Sequence, residues 1–335
     1  MKICVVGAGA IGGFLAARLA HAGNPVSVVV RGAHLEAIRA KGLTLIDVDA
    51  KRIVTRVEAS DDVTALGTSD LVILALKAHQ LPPLAATLPR LFDEKTIVVS
   101  MQNGIPWWYF QGVPGPYLDR PVESVDPGGA LADAIDARRV IGSIAYPACV
   151  IDAPGVIRQV EGNRFPLGEI TGEVTPRVRA LAELFRAAGF KTPVLSDIRA
   201  EIWLKLWGNV SFNPISALTR ATLVDICEDL PVRDLARAMM LEAQSVASAL
   251  GVPMKVDVER RIDGAQKIGA HKTSMLQDVE AGRPLEIDAL MKSVIELGHI
   301  TATPTPLIEM MFALTALLAK TISPGSDRTL PRVSP

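Results

Sequence analysis

Cysteine is scarce in this chain. Three occur in 335 residues, Cys4, Cys149 and Cys227, and they are scattered and odd in number. That pattern excludes a disulfide scaffold and reads as three reduced thiols in a cytoplasmic protein. No Cys or His stands at metal-ligand spacing, so no metal is expected. A charge of one sign is also missing: 35 Lys and Arg face 36 Asp and Glu, for a net charge of −1. Without a basic patch there is no electrostatic footprint for nucleic acid. No apolar run approaches the ~18 residues of a membrane span, so no membrane partner is expected. The first residues read as a strand rather than a signal peptide. Internal repeats and low-complexity tracts are absent too. What is abundant is apolar residues, 49% of the chain. The length suits two domains.

The most informative stretch comes first. Lys2 to Val6, KICVV, suits a buried strand, and Gly13 to Ala22 suits a helix. Between them runs Gly7-Ala8-Gly9-Ala10-Ile11-Gly12, a G-x-G-x-x-G turn in strand–turn–helix context. Gly7 permits the tight turn, Gly9 lets a pyrophosphate approach the backbone, and Gly12 lets helix pack on strand. The free N–H groups and dipole at the helix start face the phosphates. This predicts a dinucleotide site; the alternative is a βα turn that holds nothing.

Val26 to Val30 is a second apolar strand, ending at Arg31. An NAD site expects an Asp or Glu there to hold the ribose 2′-hydroxyl. Arginine instead suits a 2′-phosphate, so the cofactor reading is NADP(H). A surface arginine is the plain alternative. Leu43 to Asp47 and Arg52 to Val57 read as paired strands. Asp70 to Leu76 is a strand with Lys77 at its carboxyl end, followed by a helix from Gln80 to Leu91 despite Pro82 and Pro83. Thr96 to Ser100 is a strand followed by Gln102-Asn103-Gly104. Ligands of open parallel sheets sit beyond strand carboxyl ends, so Lys77 and Asn103 are placed to face the cofactor or are plain loop residues. Trp107 to Phe110, WWYF, reads as core or interface packing before it reads as a lid. Val140 to Tyr146, Gly155 to Gln159, Phe165 to Gly168 and Phe190 to Leu195 read as short strands, with a helix from Thr175 to Ala188.

After Ser196-Asp197, which resembles a helix cap, only helices are expected: 198–210, 231–250, 255–268, 287–300 and 305–320. The expected domains are therefore 1–195, an α/β Rossmann-type domain, and 196–320, an all-α domain. A tail covers 321–335. On the first helix Lys205, Asn209 and Asn213 are four apart and share a face. They stand among Ile202, Trp203, Leu204, Leu206, Trp207, Val210 and Phe212, where a polar stripe is costly unless satisfied. That favours a site over a surface bridge from Glu201 to Lys205. Ser274 and Glu286 suit helix starts, or a polar ligand.

Taken together, these stretches resemble the ketopantoate reductase (2-dehydropantoate 2-reductase) family from Met1 to about Lys320. The marks are GAGAIG, Arg31, LKAHQ with Lys77, QNG with Asn103, RAEIWLKLWGNVSFNP and SMLQDVEAGRPLEID. The resemblance implies an NADPH-binding domain, a helical domain and a substrate cleft between them. It implies that Lys205 is the catalytic proton donor and that Glu286 lies near substrate and nicotinamide. Asn209, Asn213 and Ser274 match substrate-contacting positions, and Lys77, Asn103 and Ala148 match cofactor contacts. The implied reaction reduces a 2-oxo acid, ketopantoate first, in pantothenate biosynthesis, in a cytoplasmic enzyme with a homodimer as one assembly. The chain departs from shorter members in its long 103–142 segment and in His271, where some relatives carry asparagine. Reduction of another 2-oxo acid and a non-catalytic NADPH sensor are the alternatives.

Overall fold

The computed structural model describes residues 1–254 and 256–322. Met1–Ile202 form one compact unit, and the chain from Trp203 forms a second.

The first unit begins with β1 (Ile3–Val6), α1 (Ala10–His21), β2 (Val26–Val29) and α2 (Gly32–Lys41). There follow β3 (Leu43–Ile46), β4 (Arg52–Thr55), β5 (Glu58–Ser60), β6 (Leu71–Leu74) and β7 (Ile97–Ser100). After a long connection come α3 (Ala130–Ala134), β8 (Val140–Ser143), β9 (Ala148–Ala153), β10 (Val156–Glu161), β11 (Leu167–Glu169) and α4 (Pro176–Ala187). The main sheet has the order β11-β8-β7-β6-β1-β2-β5 and is parallel except for β11. β1 lies between β6 and β2 with all four residues buried. Such unbroken apolar runs belong to strands covered on both faces. The second sheet, β4-β3-β10-β9, packs on α1, which also contacts β1 and β2. Helix α1 is thus held between two sheets and buries Phe14, Leu15 and Leu19. The Phe14, Phe165, Phe185 and Phe190 rings close this core, with Phe165 and Phe190 5.1 Å apart.

Three expectations change here. Residues 80–91 form no α-helix but three 3-10 turns, Ala78–Gln80, Pro82–Leu84 and Leu88–Leu91. Pro82, Pro83 and Pro89 lack N–H groups and push the residues before them out of the helical region. Residues 190–195 make two isolated bridges instead of a strand, with Pro193 unable to donate to a ladder. β9 was not expected, because Val150 and Ile151 point to solvent without an apolar alternation.

The helical part comprises α5 (Ile198–Thr219), α6 (Leu223–Glu228), α7 (Leu230–Ala249), α8 (Val258–Ile268), α9 (Ser274–Glu280), α10 (Ser293–Ile300) and α11 (Pro306–Ile322). α5 runs nine residues past the expected end at Val210, straight through Pro214. Val210, Phe212, Ile215 and Ala217 are buried, so packing outweighs the hydrogen bond that Pro214 cannot make. The unit boundary falls inside this helix, after Ile202. Its first turn stays with the first unit: Arg199 donates to the carbonyls of Tyr109, Gln111 and Ile170, and Glu201 takes Arg164 at 2.6 Å. In the second unit Trp203 and Trp207 are fully buried, and Trp207 Nε1 donates to Met240 O at 2.6 Å. Arg233 and Arg237 of α7 pair with Glu259 of α8. The expected helix start at Lys255 lies outside the described residues; the helix begins at Val258. Thr321 and Ile322, placed in the tail by sequence, complete α11, and the rest of that tail lies outside the described residues. No helix among the described residues is long and apolar enough to cross a membrane.

Candidate active site

The glycine turn follows β1, and each glycine meets a different physical demand. Gly7 has φ +100°, and a Cβ there would press on Leu76 and its backbone nitrogen. A Cβ on Gly12 would collide with the Gly7 carbonyl, so α1 could not approach the turn. Around Gly9 a Cβ would find open space instead. That is the position at which a phosphate needs bare backbone. No side chain caps α1, whose N-cap is Gly9, so the N–H groups of its first turn remain for an anion.

Hydrogen bonds tie the neighbouring turns to this one. Gly7 and Ala8 donate to Val29 O at 3.0 and 3.2 Å, two residues before Arg31. Arg31 is exposed at the start of α2, with no side-chain partner among the described residues. It therefore fits a 2′-phosphate. On the other flank, Gln102 Nε2 donates to Leu74 O and Leu76 O at 2.7 and 3.2 Å. Gln102 thus joins the Asn103 turn to the Lys77 turn. Gln102 Oε1 accepts from Ser100 Oγ at 2.8 Å, and Ser100 Oγ accepts from Trp108 Nε1 at 2.8 Å. Lys77 stands three residues beyond the end of β6 and, like Asn103, is half-buried. Ala148, five residues past the end of β8, opens β9 in the second sheet.

One residue of this rim escaped the sequence. His34 Nε2 lies 3.0 Å from Ala8 O, and its Nδ1 accepts from Gly155 N–H at 2.7 Å. The ring is therefore the Nε2–H tautomer and braces the phosphate turn against β9–β10. Partial burial lowers its pKa, partly offset by the Ala8 carbonyl. A histidine three residues after Arg31 carries no motif, so nothing local marked it. The WWYF cluster is core: Trp107 to Phe110 are each at most 6% exposed. A cavity of about 10 Å³ beside Trp107, Ile105 and Gln102 leaves no more than a water's space.

In the helical unit Lys205 is partly buried on α5, and loss of hydration pushes its pKa down to about 8. The Glu286 carboxylate acts in the opposite direction, so the two side chains are within electrostatic reach. Glu286 stands just before a π-helical turn, Asp288–Lys292, that opens α10. Such a turn re-aims side chains and is frequent at functional sites. One turn after Lys205 comes Asn209, and one turn further Asn213. Asn213 is 4% exposed, and its Nδ2 has no partner among the described residues. A buried amide donor without an acceptor is costly and marks a place for a ligand oxygen or water. Ser274 is not the cap of α9: Thr273 Oγ1 accepts from Leu276 N–H at 3.2 Å. Ser274 is the first helical residue, exposed, with its hydroxyl free of partners among the described residues. Glu201, the partner in the surface-bridge alternative for Lys205, accepts from Arg164 Nη1 and from Tyr146 OH at 2.6 and 2.8 Å. Among the described residues no group of His, Cys, Asp and Glu could hold a metal ion.

The signature described as ketopantoate reductase PanE/ApbA matches residues 3–107, and its C-terminal counterpart matches residues 197–319. The chain belongs to the ketopantoate reductase family. It is 55% identical over 320 residues to 2-dehydropantoate 2-reductase of Mesorhizobium japonicum, covering 95% of this chain and 98% of that one. A Ralstonia solanacearum MolK2 protein assigned to ketopantoate reductase superposes with a TM-score of 0.91 at 42% identity, over 96% of this chain and 98% of that chain. The 2-dehydropantoate 2-reductase of Geobacter metallireducens superposes at 0.83 with 28% identity, over 96% and 100%. In this family member the rim of the sheet therefore fits NADP(H), and α5 with Glu286 carries the ionisable pair.

Proposed function

We infer that this chain reduces 2-dehydropantoate (ketopantoate) to pantoate with NADPH, in pantothenate biosynthesis. The observation that carries the reading is the Lys205–Glu286 pair, with Lys205 held near pKa 8 inside a member of this family. The Gly7–Gly12 turn and Arg31 would hold the diphosphate and 2′-phosphate, with Lys77 and Asn103 on the adjoining turns. NADPH supplies the hydride when bound. A ketone oxygen that receives hydride charge at its carbon becomes an alkoxide. Lys205 stabilises that charge and delivers a proton from Nζ. A lysine with a pKa of about 8 keeps its proton at neutral pH yet gives it up more readily than one at 10.5, which suits a proton donor. Glu286 holds Lys205 protonated and placed. The Asn213 amide, with Asn209 and Ser274, would take the substrate's carboxylate and hydroxyl oxygens. A non-catalytic NADPH sensor would have no use for a depressed lysine beside a carboxylate.

A panel of 2-oxo acids, ketopantoate included, scored by NADPH consumption, tests the reading. Preferential turnover of ketopantoate is expected. Preference for another 2-oxo acid would move the substrate assignment, and NADPH binding without any turnover would restore the sensor. The proposal includes a homodimer, supported by the dimeric ketopantoate reductase of Staphylococcus aureus that shares this fold. It also includes a cytoplasmic location, supported by three free cysteines.

A further inference from the structure

α11 is amphipathic in an unusual sense, with apolar residues on both faces. Ile308, Met311 and Thr315 are buried against the rest of the helical unit. On the opposite face Met310, Leu314 and Leu317 are 56%, 54% and 52% exposed. Spaced by four and three, they form one row on a helix about 25 Å long. Leu241 of α7 is 47% exposed. Its neighbour Glu242 accepts the N–H groups of Leu307 and Ile308, which fixes α7 at the start of α11. A row of this length is more than scattered surface leucine.

Resting on the homodimer reading above, we propose that this face of α11 pairs with the same face of a second copy, antiparallel, about a two-fold axis. The charges decide the occupant. Glu309 and Lys320 are exposed, eleven residues apart, and so lie about three turns from each other along one flank of the row. An antiparallel two-fold sets Glu309 beside the partner's Lys320, and does so twice. A parallel two-fold places like charges level and on opposite flanks, where no pair forms. Glu309 keeps an oxygen for this contact: Thr305 Oγ1 and His299 Nε2 both approach Oε1. A membrane surface is the poorer fit, because interfacial helices carry several basic residues beside the apolar row and Lys320 is the basic residue of α11. The helix pair alone falls short of the roughly 800 Å² per partner of a standard interface, so the dimer should dissociate on dilution.

Sedimentation velocity of the full chain across a concentration series tests the surface. Leu314→Asp should abolish the dimer, with turnover per chain unchanged. Glu309→Lys and Lys320→Glu should each weaken it by about tenfold, and the double reversal should restore it. None of these side chains is buried, so the variants fold. A wild-type monomer at every concentration would overturn both the homodimer and this surface, even if the monomer bound lipid vesicles. A dimer indifferent to Leu314→Asp and to the charge reversals would leave the homodimer standing and overturn the surface.

Discussion

Lys205 is the residue on which the proposed chemistry turns, and its acidity makes it testable. The pKa near 8 arises because burial disfavours the ammonium more than Glu286 favours it. A proton donor must be protonated, so turnover should fall as pH rises through about 8. Glu286→Gln removes the influence that raises this pKa, and the alkaline limb should move to lower pH. A limb that stays in place in the variant would show that Glu286 does not act on Lys205. Lys205→Ala should cost about 10²–10⁴ in turnover, with NADPH affinity near wild type, since the phosphate turn lies in the other unit. Fluorescence titration and initial rates on one preparation separate the two effects. Arg31 has no protein partner among the described residues to lose, so Arg31→Ala should leave stability nearly unchanged. It should weaken NADPH by one to two decades, as expected for about 1.5–3 kcal/mol of charged hydrogen bonding, and spare NADH. Equal losses for both cofactors would remove Arg31 from the 2′-phosphate.

The turns after β1, β6 and β7 behave as one assembly. Ser100 Oγ is the middle link, accepting from Trp108 and donating to Gln102, which in turn holds the carbonyls before Lys77. Ser100→Ala would leave the buried Trp108 indole unsatisfied and should cost about 1–3 kcal/mol in denaturant unfolding. It should also weaken NADPH, because Leu76 packs on Gly7; unchanged cofactor affinity would show that the relay serves stability alone. The long 103–142 segment joins this relay through the buried Trp108. His34 braces the same assembly from β2's side. Its folded pKa is below its ordinary value of 6.5, so the unfolded chain takes up the proton first. The stability it lends is complete above pH 6.5 and is lost as pH falls through its lowered pKa. His34→Ala should flatten that acid dependence in thermal melts.

For the molecule taken entire, the question is where the first unit ends. Arg199 binds three carbonyls of the first unit, and a Cβ on Gly142 or Gly168 would strike Ile198. A fragment ending at residue 202 should therefore melt higher than one ending at 195. Neither should turn over substrate, since Lys205 and Glu286 are absent from both. Equal melting of the two fragments would place the boundary back at Ser196.

Much of this was legible in the residues. Gly7 and Gly12 were legible because each answers a local demand of backbone space, and β1, β2, β6 and β7 because buried parallel strands are continuous apolar runs. The Lys205–Asn209–Asn213 stripe follows from helical period alone. The resemblance of the SMLQDVEAGRPLEID stretch pointed to Glu286. Other features depended on neighbours far away in sequence. The passage of α5 through Pro214 was decided by burial on every side, which local propensity opposes. Thr273 took the cap from Ser274 because only the folded turn decides which oxygen meets Leu276 N–H. His34 became a brace when Gly155, 121 residues on, arrived at its Nδ1. The pKa of Lys205 belongs to the same class. Sequence supplied a lysine between tryptophans, but desolvation and the approach of Glu286 exist only once the helices have packed.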